Sequence, residues 1–562
     1  MEEIFLTEKT AATAIVETMI DYGIKYVFGI PGAKIDQLFE ELEHNSNPKK
    51  PQLIITRHEQ NAAFMAAAVG RLTGKPGVVL VTSGPGVANL ATGLVTATSE
   101  GDPVIALGGQ VPRDDLARLT HQSIPNQSIL APVTKNSVEV QNPNNLSEAF
   151  ANAYQEATDT KNGAVFISIP QDVIGGTVTR PNMRVTPAVE QGVPAQSQLA
   201  EVASKIKQAK MPVILAGMRA SQQRSTQALR QLLKQTPLPV VETFQGAGVI
   251  SHDLEDLYFG RVGLFRNQIG DVLLKNADLV LAIGYDPIEY EARNWNQDQK
   301  GIVINLDTVA PELTQDYQPE LILQGDLADT LNALAQLLQD DYQMSEKTKN
   351  QLRTIKQQFD QRDVPPEKVV NGVQHPLTIV QELQKHVDDS TIVTVDVGSH
   401  YIWMARHFRS YEPRHLLFSN GMQTLGVALP WAITASLLHP DQQIVSVAGD
   451  GGFLFSGQEL ETAVRLHSNI VQLIWVDGYY DMVRFQEQVK YGQEAGVKFG
   501  PVDFVEYAHS FGAAGLRVDQ DHDLQSVLDQ AFATEGPVVV EIPVDYSQNA
   551  QLKQELLPDQ FH

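Results

Sequence analysis

The chain alternates short runs of β-branched residues with longer helical patterns, and this alternation limits the folds open to it. Examples are GVVLVTS at 77–83, PVILAG at 212–217, LVLAIG at 279–284 and IVSVAGD at 444–450. Strands separated by helix-length segments are typical of parallel sheets covered by helices on both faces. The sequence therefore predicts an α/β chain throughout.

Two stretches break the alternation and predict domain boundaries. Residues 175–196 are rich in Pro, Gly and polar residues, and residues 340–372 are strongly polar. A chain of 562 residues is too long for one hydrophobic core. We therefore expect three domains, each a mainly parallel sheet flanked by helices, at 1–180, 195–345 and 365–562. The middle domain has Rossmann-like strands, but no G-x-G-x-x-G follows any of them.

The first and third domains resemble each other in sequence pattern. GVVLVTSGPGVANLATGL at 77–94 and IVSVAGDGGFLFSGQEL at 444–460 both read as strand, Gly-rich turn and helix. AVFISIPQDV at 164–173 and PVVVEIPVDY at 537–546 both read as a strand that ends in Ile-Pro-x-Asp. These pairs predict two copies of one fold on either side of a different middle domain.

Composition excludes several classes of function. Lys and Arg number 42 against 67 Asp and Glu, a net charge of −25, which argues against nucleic acid or an anionic membrane as the main partner. The absence of cysteine excludes disulfides, thiolate metal sites and a cysteine nucleophile. The N-terminal stretch is acidic and then amphipathic, and no apolar run approaches a membrane span. We expect a cytoplasmic protein.

The segment GDGGFLFS at 449–456 has the form of a phosphate-binding turn but lacks its cation. A Gly-rich turn between strand and helix offers backbone N–H groups to a diphosphate, yet the Lys and Ser/Thr of a P-loop are missing. Asp450 and Asp477 are separated by one strand–helix–strand unit, which predicts that both lie at the carboxyl ends of neighbouring parallel strands. Mg²⁺ commonly bridges carboxylates to phosphates, so the pair favours a metal–diphosphate site over a plain turn.

This pattern resembles the cofactor motif of the thiamine-diphosphate-dependent enzymes. The resemblance implies that Asp450, Asp477 and the main-chain carbonyl of Tyr479 hold Mg²⁺. It also implies that SNGMQTLGVALPWA at 419–432 bends the cofactor, with Leu425 wedged between its two rings and a carbonyl near Gln423 accepting the 4′-amino proton. Further cofactor contacts are expected at Ile30, Pro31, Ser83, Gly84, Asn89, Gly449, Gly451, Gly452, Tyr480, Met482 and Val483.

Glu59 follows a strand-like run and begins an Ala-rich helix in TRHEQNAAFMA at 56–66. From the residues alone, a Glu favoured by the helix dipole is the commoner interpretation. The motif, however, resembles that of the pyruvate oxidase and decarboxylase group, and the resemblance implies that Glu59 is the catalytic acid facing the aminopyrimidine. In that group the Glu of one subunit faces the cofactor bound by another. A homodimer with active sites at the interface, assembled into a homotetramer, is therefore expected.

Long stretches resemble the acetolactate synthases, and among them the catabolic, flavin-independent type. They include VFGIPGAKIDQLFEEL at 27–42, THQSIPNQSILAPVTK at 120–135 and IPVDYSQN at 542–549. The resemblance implies decarboxylation of pyruvate and carboligation of the hydroxyethyl enamine to a second pyruvate, giving 2-acetolactate and CO₂ in acetoin or butanediol formation. Thiamine diphosphate and Mg²⁺ are the implied cofactors, and FAD is expected to be absent.

The substrate pocket is expected along YDMVRFQEQVKYG at 480–492. Biosynthetic members have a Trp where this chain has Gln486, and a polar amide cannot supply the same apolar wall, so pyruvate is the expected acceptor. Phe485, with Leu425, Met482 and Val483, is expected to keep the pocket dry. Gln122 aligns with the family's active-site Gln. Lys34 is a candidate for the substrate carboxylate, although a solvated surface amine is an open alternative.

Two other functions remain open from the sequence. One is a flavin-dependent pyruvate oxidase, because LAGMRAS at 215–221 and FGRVGLFRNQ at 259–268 lie where flavin enzymes of this group bind FAD. The other is a non-catalytic cofactor-binding regulatory protein. The sequence contains Glu59 together with both metal aspartates. This argues against the regulatory protein, since cofactor binding alone does not require the acid.

Overall fold

The computed structural model describes residues 9–187, 189–265, 268–297, 301–338, 342–361 and 372–549. Its strands form three six-stranded parallel sheets and one two-stranded antiparallel pair, each placed where the sequence predicts an α/β domain. Within these residues no helix combines the length and apolarity that a bilayer crossing requires. The predicted α/β class, with mainly parallel sheets flanked by helices, is confirmed.

The first sheet has the strand order β3-β2-β4-β5-β7-β6. Buried residues of α1, α2 and α7 form one core with the strands, and α3 contacts β2, β4 and β5. The elements of this part are β1 Lys9–Thr10, α1 Ala11–Asp21, β2 Tyr26–Ile30, α2 Asp36–His44, β3 Gln52–Ile55, α3 Glu59–Thr73, β4 Gly77–Val81, α4 Pro85–Asn89, α5 Ala91–Glu100, β5 Val104–Gln110, α6 Asn126–Leu130, β6 Asn136–Glu139, α7 Leu146–Thr158, β7 Ala164–Pro170, α8 Gln171–Ile174 and β8 Thr177–Val178, with 3₁₀ turns at Arg113–Asp115, Ala131–Val133 and Pro143–Asn145.

The second sheet has the order β11-β10-β9-β12-β13-β14, which is the Rossmann order, so the predicted Rossmann-like middle part is confirmed. Helix α13 also belongs here, since its Ile355 lies in the core of this sheet. The elements are α9 Gln196–Gln208, β9 Pro212–Ala216, α10 Gln223–Gln235, β10 Val240–Thr243, β11 Tyr258–Val262, α11 Ile269–Asn276, β12 Leu279–Ile283, β13 Ile302–Asp307, β14 Leu321–Gln324, α12 Leu327–Leu338 and α13 Glu346–Gln361, with 3₁₀ turns at His252–Leu257 and Ala292–Asn294.

The third sheet has the order β16-β15-β17-β18-β20-β19. Numbered within its own part, this is the same second-first-third-fourth-sixth-fifth order as the first sheet, so the predicted duplication is confirmed. The elements are α14 Pro376–His386, β15 Ile392–Val395, α15 Ser399–His407, β16 Leu416–Phe418, α16 Ala428–Leu438, β17 Ile444–Gly449, α17 Asp450–Phe453, α18 Leu460–Arg465, β18 Ile470–Val476, α19 Asp481–Tyr491, α20 Phe504–Phe511, β19 Ala514–Arg517, α21 Leu524–Ala533 and β20 Val538–Pro543, with a 3₁₀ turn at Gly457–Glu459.

The chain divides into two compact units that do not follow the three sheets. The smaller unit combines residues 1–189 with 429–440 and 456–468, and the larger unit holds the rest. Inside the smaller unit, Trp431 lies against the guanidinium of Arg71 at 4.4 Å, and the Tyr26 hydroxyl donates to the carbonyl of Leu437 at 2.9 Å. The domain limits at 180, 195, 345 and 365 stay predictions, and residue 365 lies outside the described residues.

Candidate active site

The two predicted metal aspartates lie at one edge of the third sheet. Strand β17 ends at Gly449 and Asp450 begins α17, while Asp477 directly follows β18. The two strands are parallel neighbours, with Gly449 opposite Trp475. The prediction that Asp450 and Asp477 lie at the carboxyl ends of neighbouring parallel strands is thus confirmed.

Backbone amides hold the Asp450 carboxylate in place. Asp450 is buried, its Oδ1 accepts from Gly451 N at 2.9 Å, and its Oδ2 accepts from Gly478 N at 2.7 Å and from Asp477 N at 3.2 Å. Burial raises the pKa of Asp450. Burial, followed by the nearby charges of Asp450 and Asp481, raises the pKa of Asp477 to about 7. Close, poorly hydrated carboxylates of this kind favour a divalent cation between them.

The protein supplies few charged ligands to this position. No cluster of three or more His, Asp or Glu that suits a metal occurs among the described residues. A hard cation here would complete its coordination with oxygens of a main-chain carbonyl, water and a diphosphate, as Mg²⁺ does in phosphate sites. The donor set therefore fits a metal that arrives with a phosphorylated cofactor.

Glycines of the turn at 449–452, which carries Asp450 and is called the metal turn below, make room for neighbouring side chains. A Cβ at Gly451 would lie 2.6 Å from the ring of Tyr480, and one at Gly452 would lie 3.0 Å from Oδ1 of Asp396 and 3.6 Å from Cδ2 of Leu425. The Tyr480 ring also lies 5.1 Å from that of Phe499. The turn is thus enclosed by the predicted cofactor residues Leu425 and Tyr480.

A second buried carboxylate, which the sequence reasoning missed, holds the loop that carries Leu425. Asp396 accepts from Val397 N at 2.8 Å, from Gly426 N at 2.9 Å and from Ala428 N at 3.3 Å. Burial raises its pKa to about 6. The available signal was an acid at a strand end in IVTVDVG, the same signal that identified Asp477. Within the loop, Gln423 adopts a left-handed conformation with φ of +51°.

The predicted acid lies at the start of α3 in the smaller unit. Oε2 of half-buried Glu59 accepts from Nδ2 of the exposed Asn89 at 2.9 Å, and a Cβ at Gly86 would lie 3.6 Å from its Oε1. Nδ1 of His58, the N-cap, accepts from Gln60 N at 3.1 Å. The Glu59 carboxylate therefore lies beside the Gly-rich turn after β4 and is partly exposed to solvent.

Other predicted residues gather at the same turn. A Cβ at Gly84, which has φ of +65°, would lie 3.1 Å from Cβ of Gln122, itself at φ +61°. Ser83 Oγ is buried and has no hydrogen-bond partner among the described residues. Ile30 ends β2 and Pro31 begins the turn that follows. This turn packs against the Gly-rich turn, since a Cβ at Gly32 would lie 2.6 Å from Thr82 Cβ.

Lys34 has a separate environment. Its Nζ lies 3.5 Å from Oε1 of Gln171, the residue that follows β7. The structure therefore gives Lys34 a neutral partner and brings it to the same sheet edge as the Gly-rich turn, which leaves its role as a substrate ligand a prediction.

A cavity of about 530 Å³ joins the predicted acceptor residue to the cofactor loop. Gln486 on α19 and Gln423 both line it, together with Phe265, Glu289 and Asn420. Phe485 is buried and meets Phe265 edge to face at 6.5 Å, whereas Met482 is half-buried and Val483 is exposed. The lining thus combines amide residues with the aromatic Phe265 and with charged residues such as Glu289.

The carboxyl ends of β9, β12 and β13 are occupied by an ion-paired arginine. Arg219 Nε donates to Asp307 Oδ1 at 2.8 Å, its Nη1 to Asp286 Oδ2 at 2.9 Å, and its Nη2 to the carbonyl of Tyr285 at 3.0 Å. This edge, at the switch in strand order between β9 and β12, is where a Rossmann sheet binds a dinucleotide. Arg219 and its two aspartate partners therefore lie at this edge of the sheet.

All three parts of the chain match domain families of one kind of enzyme. The descriptions are thiamine pyrophosphate enzyme, N-terminal TPP binding domain for residues 9–130, central domain for 199–334, and C-terminal TPP binding domain for 396–542.

Three known proteins are similar to this chain over almost their full length. An acetolactate synthase of Bacillus subtilis (strain 168) is 50% identical over 560 residues, covering 100% of this chain and 97% of that protein. A catabolic acetolactate synthase of Raoultella terrigena is 45% identical over 545 residues, covering 97% of each. A putative thiamine pyrophosphate-containing protein, YdaP, of Bacillus subtilis (strain 168) is 30% identical over 541 residues, covering 96% of this chain and 92% of that protein.

Proposed function

Because the chain belongs to the thiamine pyrophosphate enzyme family, we propose that it is an acetolactate synthase. It decarboxylates pyruvate and joins the remaining two-carbon unit to a second pyruvate, giving 2-acetolactate and CO₂. The observation that carries the proposal is the full-length identity of 50% and 45% to two acetolactate synthases. The arrangement of Glu59 and of the Asp450–Asp477 pair supplies the chemistry that this reaction needs.

Each group of residues has a stated task in this reaction. Thiamine diphosphate, when bound, supplies the electron sink for decarboxylation, and the protein supplies orientation and electrostatics. Asp450, Asp477 and the carbonyl of Tyr479 would hold Mg²⁺ and so offset the diphosphate charge. Glu59 would hold and exchange a proton with the aminopyrimidine. The buried Phe485, with Leu425 and Met482 half-buried behind the turn, would restrict water near the reacting carbon.

We infer that pyruvate is also the acceptor. Gln486 and Gln423, a residue of the cofactor loop, line the same cavity. An amide offers hydrogen bonds to a keto acid but no broad apolar wall for a longer alkyl chain. This supports the smaller acceptor over 2-ketobutyrate.

We also infer that the enzyme works without FAD. The ion pairs of Arg219 with Asp307 and Asp286 occupy the edge of the Rossmann sheet where a dinucleotide would lie. Displacing a buried, paired arginine leaves two carboxylates without their partner, which costs several kcal/mol, on the order of 3–5. This supports the flavin-independent type rather than a pyruvate oxidase.

The proposed assembly is at least a homodimer, and by resemblance a homotetramer, with active sites formed by two subunits. Glu59 is only half-buried, and its hydrogen-bond partner Asn89 is exposed. This exposure supports a role for Glu59 in a site that another subunit completes. Mixing a Glu59→Gln variant with an Asp450→Ala variant tests this. Subunit exchange should restore roughly a quarter of wild-type activity through mixed dimers that keep one intact site. Failure of the mixture to gain activity, despite proven exchange, would contradict the shared site.

The function itself is tested by the products formed from pyruvate, Mg²⁺ and thiamine diphosphate. Release of CO₂ with 2-acetolactate supports the proposal. Acetyl phosphate or acetate, formed with consumption of oxygen by a yellow protein, would identify a flavin-dependent pyruvate oxidase instead. Cofactor binding without turnover would identify a regulatory protein.

A further inference from the structure

A buried carboxylate on the segment after the metal turn holds the backbone around Glu59. Glu459 ends the 3₁₀ turn Gly457–Glu459, and its side chain is fully buried. Its Oε1 accepts from Arg57 N at 2.9 Å, from His58 N at 3.2 Å and from Asn61 Nδ2 at 2.9 Å. The three donors stand on both sides of Glu59 in the chain. All these residues lie in the smaller compact unit.

The second oxygen of Glu459 is also engaged. Its Oε2 accepts from Thr462 Oγ1 at 2.7 Å, one turn along α18. Burial raises the pKa of Glu459, and the hydrogen bonds from Asn61, Thr462, Arg57 and His58 oppose that shift. The group is thus fixed by four donors, and it can accept them as a carboxylate.

These bonds matter because the Glu59 side chain itself is lightly held. Its carboxylate accepts from Nδ2 of Asn89, an exposed residue, at 2.9 Å. The direction of the Glu59 side chain therefore depends on the backbone at residues 57–61, and that backbone is set by Glu459. A shift of about 1 Å in a reacting group is enough to cost on the order of 10²-fold in rate.

We propose that Glu459 is a positioning residue for Glu59: its carboxylate fixes the amides before α3 and thereby aims the catalytic acid. The inference rests on the proposed function, because it requires Glu59 to exchange a proton with bound thiamine diphosphate. Glu459 touches neither substrate nor cofactor in this role, and it follows Asp450 by nine positions in the chain.

The test uses the full-length enzyme loaded with Mg²⁺ and thiamine diphosphate. The readout is the rate at which the cofactor C2 proton exchanges with deuterium, together with the cofactor Kd. Glu459→Ala removes the acceptor, and Glu459→Gln keeps an acceptor oxygen for the three N–H groups. Glu461→Ala is the matched control, since the half-buried Glu461, two residues away, pairs with the side chains of Arg465 at 3.1 Å and of Arg57 at 3.6 Å rather than with the backbone amides that Glu459 holds.

Glu459→Ala should slow C2 exchange by about 10- to 100-fold, with a cofactor Kd within about threefold of wild type. Glu459→Gln should restore exchange to within about fivefold, because the geometry of acceptance is retained. Glu461→Ala should stay within about twofold. A folded Glu459→Ala protein that exchanges at the wild-type rate, or a Glu459→Gln protein as slow as Glu459→Ala, would overturn the inference.

Two further variants keep the test decisive. If Glu459→Ala does not fold, Asn61→Ala removes one donor and should slow exchange by about three- to tenfold, while an unchanged rate would refute positioning. Glu59→Gln in the same assay separates the two proposals. If Glu59→Gln exchanges normally, the acid assignment itself is wrong. If only the Glu459 and Asn61 variants exchange normally, the proposed function stands and the positioning role falls.

Discussion

The metal turn after β17 carries Asp450, and the turn before α3, which is called the acid turn here, carries Glu59. The two turns place their carboxylates in different environments. Asp450 is buried, and three backbone N–H groups donate to it, whereas Glu59 is half-buried and bonds to one exposed side chain. Both follow strands of sheets with the same strand order. The duplicated fold therefore supports two chemically different sites.

The difference between the two environments agrees with the role that we propose for each group. A metal ligand works by staying in one place with its charge unscreened until a cation arrives, so burial among rigid amides suits it. A group that exchanges a proton has to reach its partner and change charge, so an open rim suits Glu59. The position of Glu59 is fixed instead through its backbone, because Glu459 accepts hydrogen bonds from the amides of Arg57 and His58.

The largest expected effect concerns the acid turn. Glu59→Gln should lower the rate of acetolactate formation by roughly 10²–10⁴ while leaving cofactor affinity nearly unchanged, because the amide cannot exchange the required proton. Steady-state rates and a cofactor titration measure this. Glu148→Gln, an exposed first-turn Glu of α7, is the control and should have no effect. Full activity in Glu59→Gln would remove the contrast between the two turns.

The metal turn should respond in affinity rather than in chemistry. Asp450→Ala deletes one buried metal ligand and the acceptor of three amides, so Mg²⁺-dependent binding of thiamine diphosphate should weaken by about 100-fold or more. Fluorescence or calorimetric titration with the cofactor at fixed Mg²⁺ measures this. The exposed Asp441→Ala, at the other end of β17, should bind normally. An unchanged Kd in Asp450→Ala would exclude the metal site.

Buried carboxylates of the larger unit should also make stability depend on pH. Glu289 accepts from Thr243 Oγ1 at 2.6 Å and from Met218 N at 2.9 Å, and burial raises its pKa from 4.5 to about 7. The folded state then binds more protons than the unfolded state between pH 4.5 and 7. The contribution of Glu289 to stability is thus greatest below pH 4.5 and falls by up to about 3 kcal/mol as pH rises to 7.

Glu289→Gln tests this directly. Its thermal midpoint should fall less than that of the wild type between pH 5 and pH 8, and Gln should stabilise the protein at pH 8 but not at pH 5. Glu312→Gln, at an exposed position, should follow the wild type at both pH values. Parallel pH profiles for wild type and Glu289→Gln would show that Glu289 is not charged differently in the two states.

The smallest expected effect concerns acceptor choice. Gln486→Trp replaces an amide that lines the cavity with an apolar wall, so the use of 2-ketobutyrate relative to pyruvate should rise by several-fold, about 1–2 kcal/mol. Competition between the two keto acids measures the ratio. Gln488→Trp, an exposed position on the same helix, should leave it unchanged. If Gln486→Trp leaves the ratio of 2-ketobutyrate use to pyruvate use unchanged, Gln486 does not determine the choice of acceptor.

The local pattern of the chain was enough to predict the fold class and the placement of Asp450 and Asp477 at the ends of neighbouring strands. Parallel strands with buried apolar runs and helix-length spacing have few arrangements, and they place Asp450 and Asp477 at adjacent strand ends. The repeat of strand, Gly-rich turn and helix likewise predicted the duplicated sheet. Glu59 was harder, because a Glu that begins a helix has an ordinary explanation in the helix dipole, and only resemblance to a family gave it a chemical role.

The tertiary structure decided which distant residues hold these sites. Asp396 and Glu459 look like ordinary acids in the sequence, yet one accepts the amides of the Leu425 loop and the other the amides before Glu59. Packing also joined residues 429–440 and 456–468 to the first unit and set Arg219 between two aspartates. Sequence periodicity records which face of an element is apolar, whereas a hydrogen bond between residues 401 positions apart depends on the three-dimensional path of the whole chain.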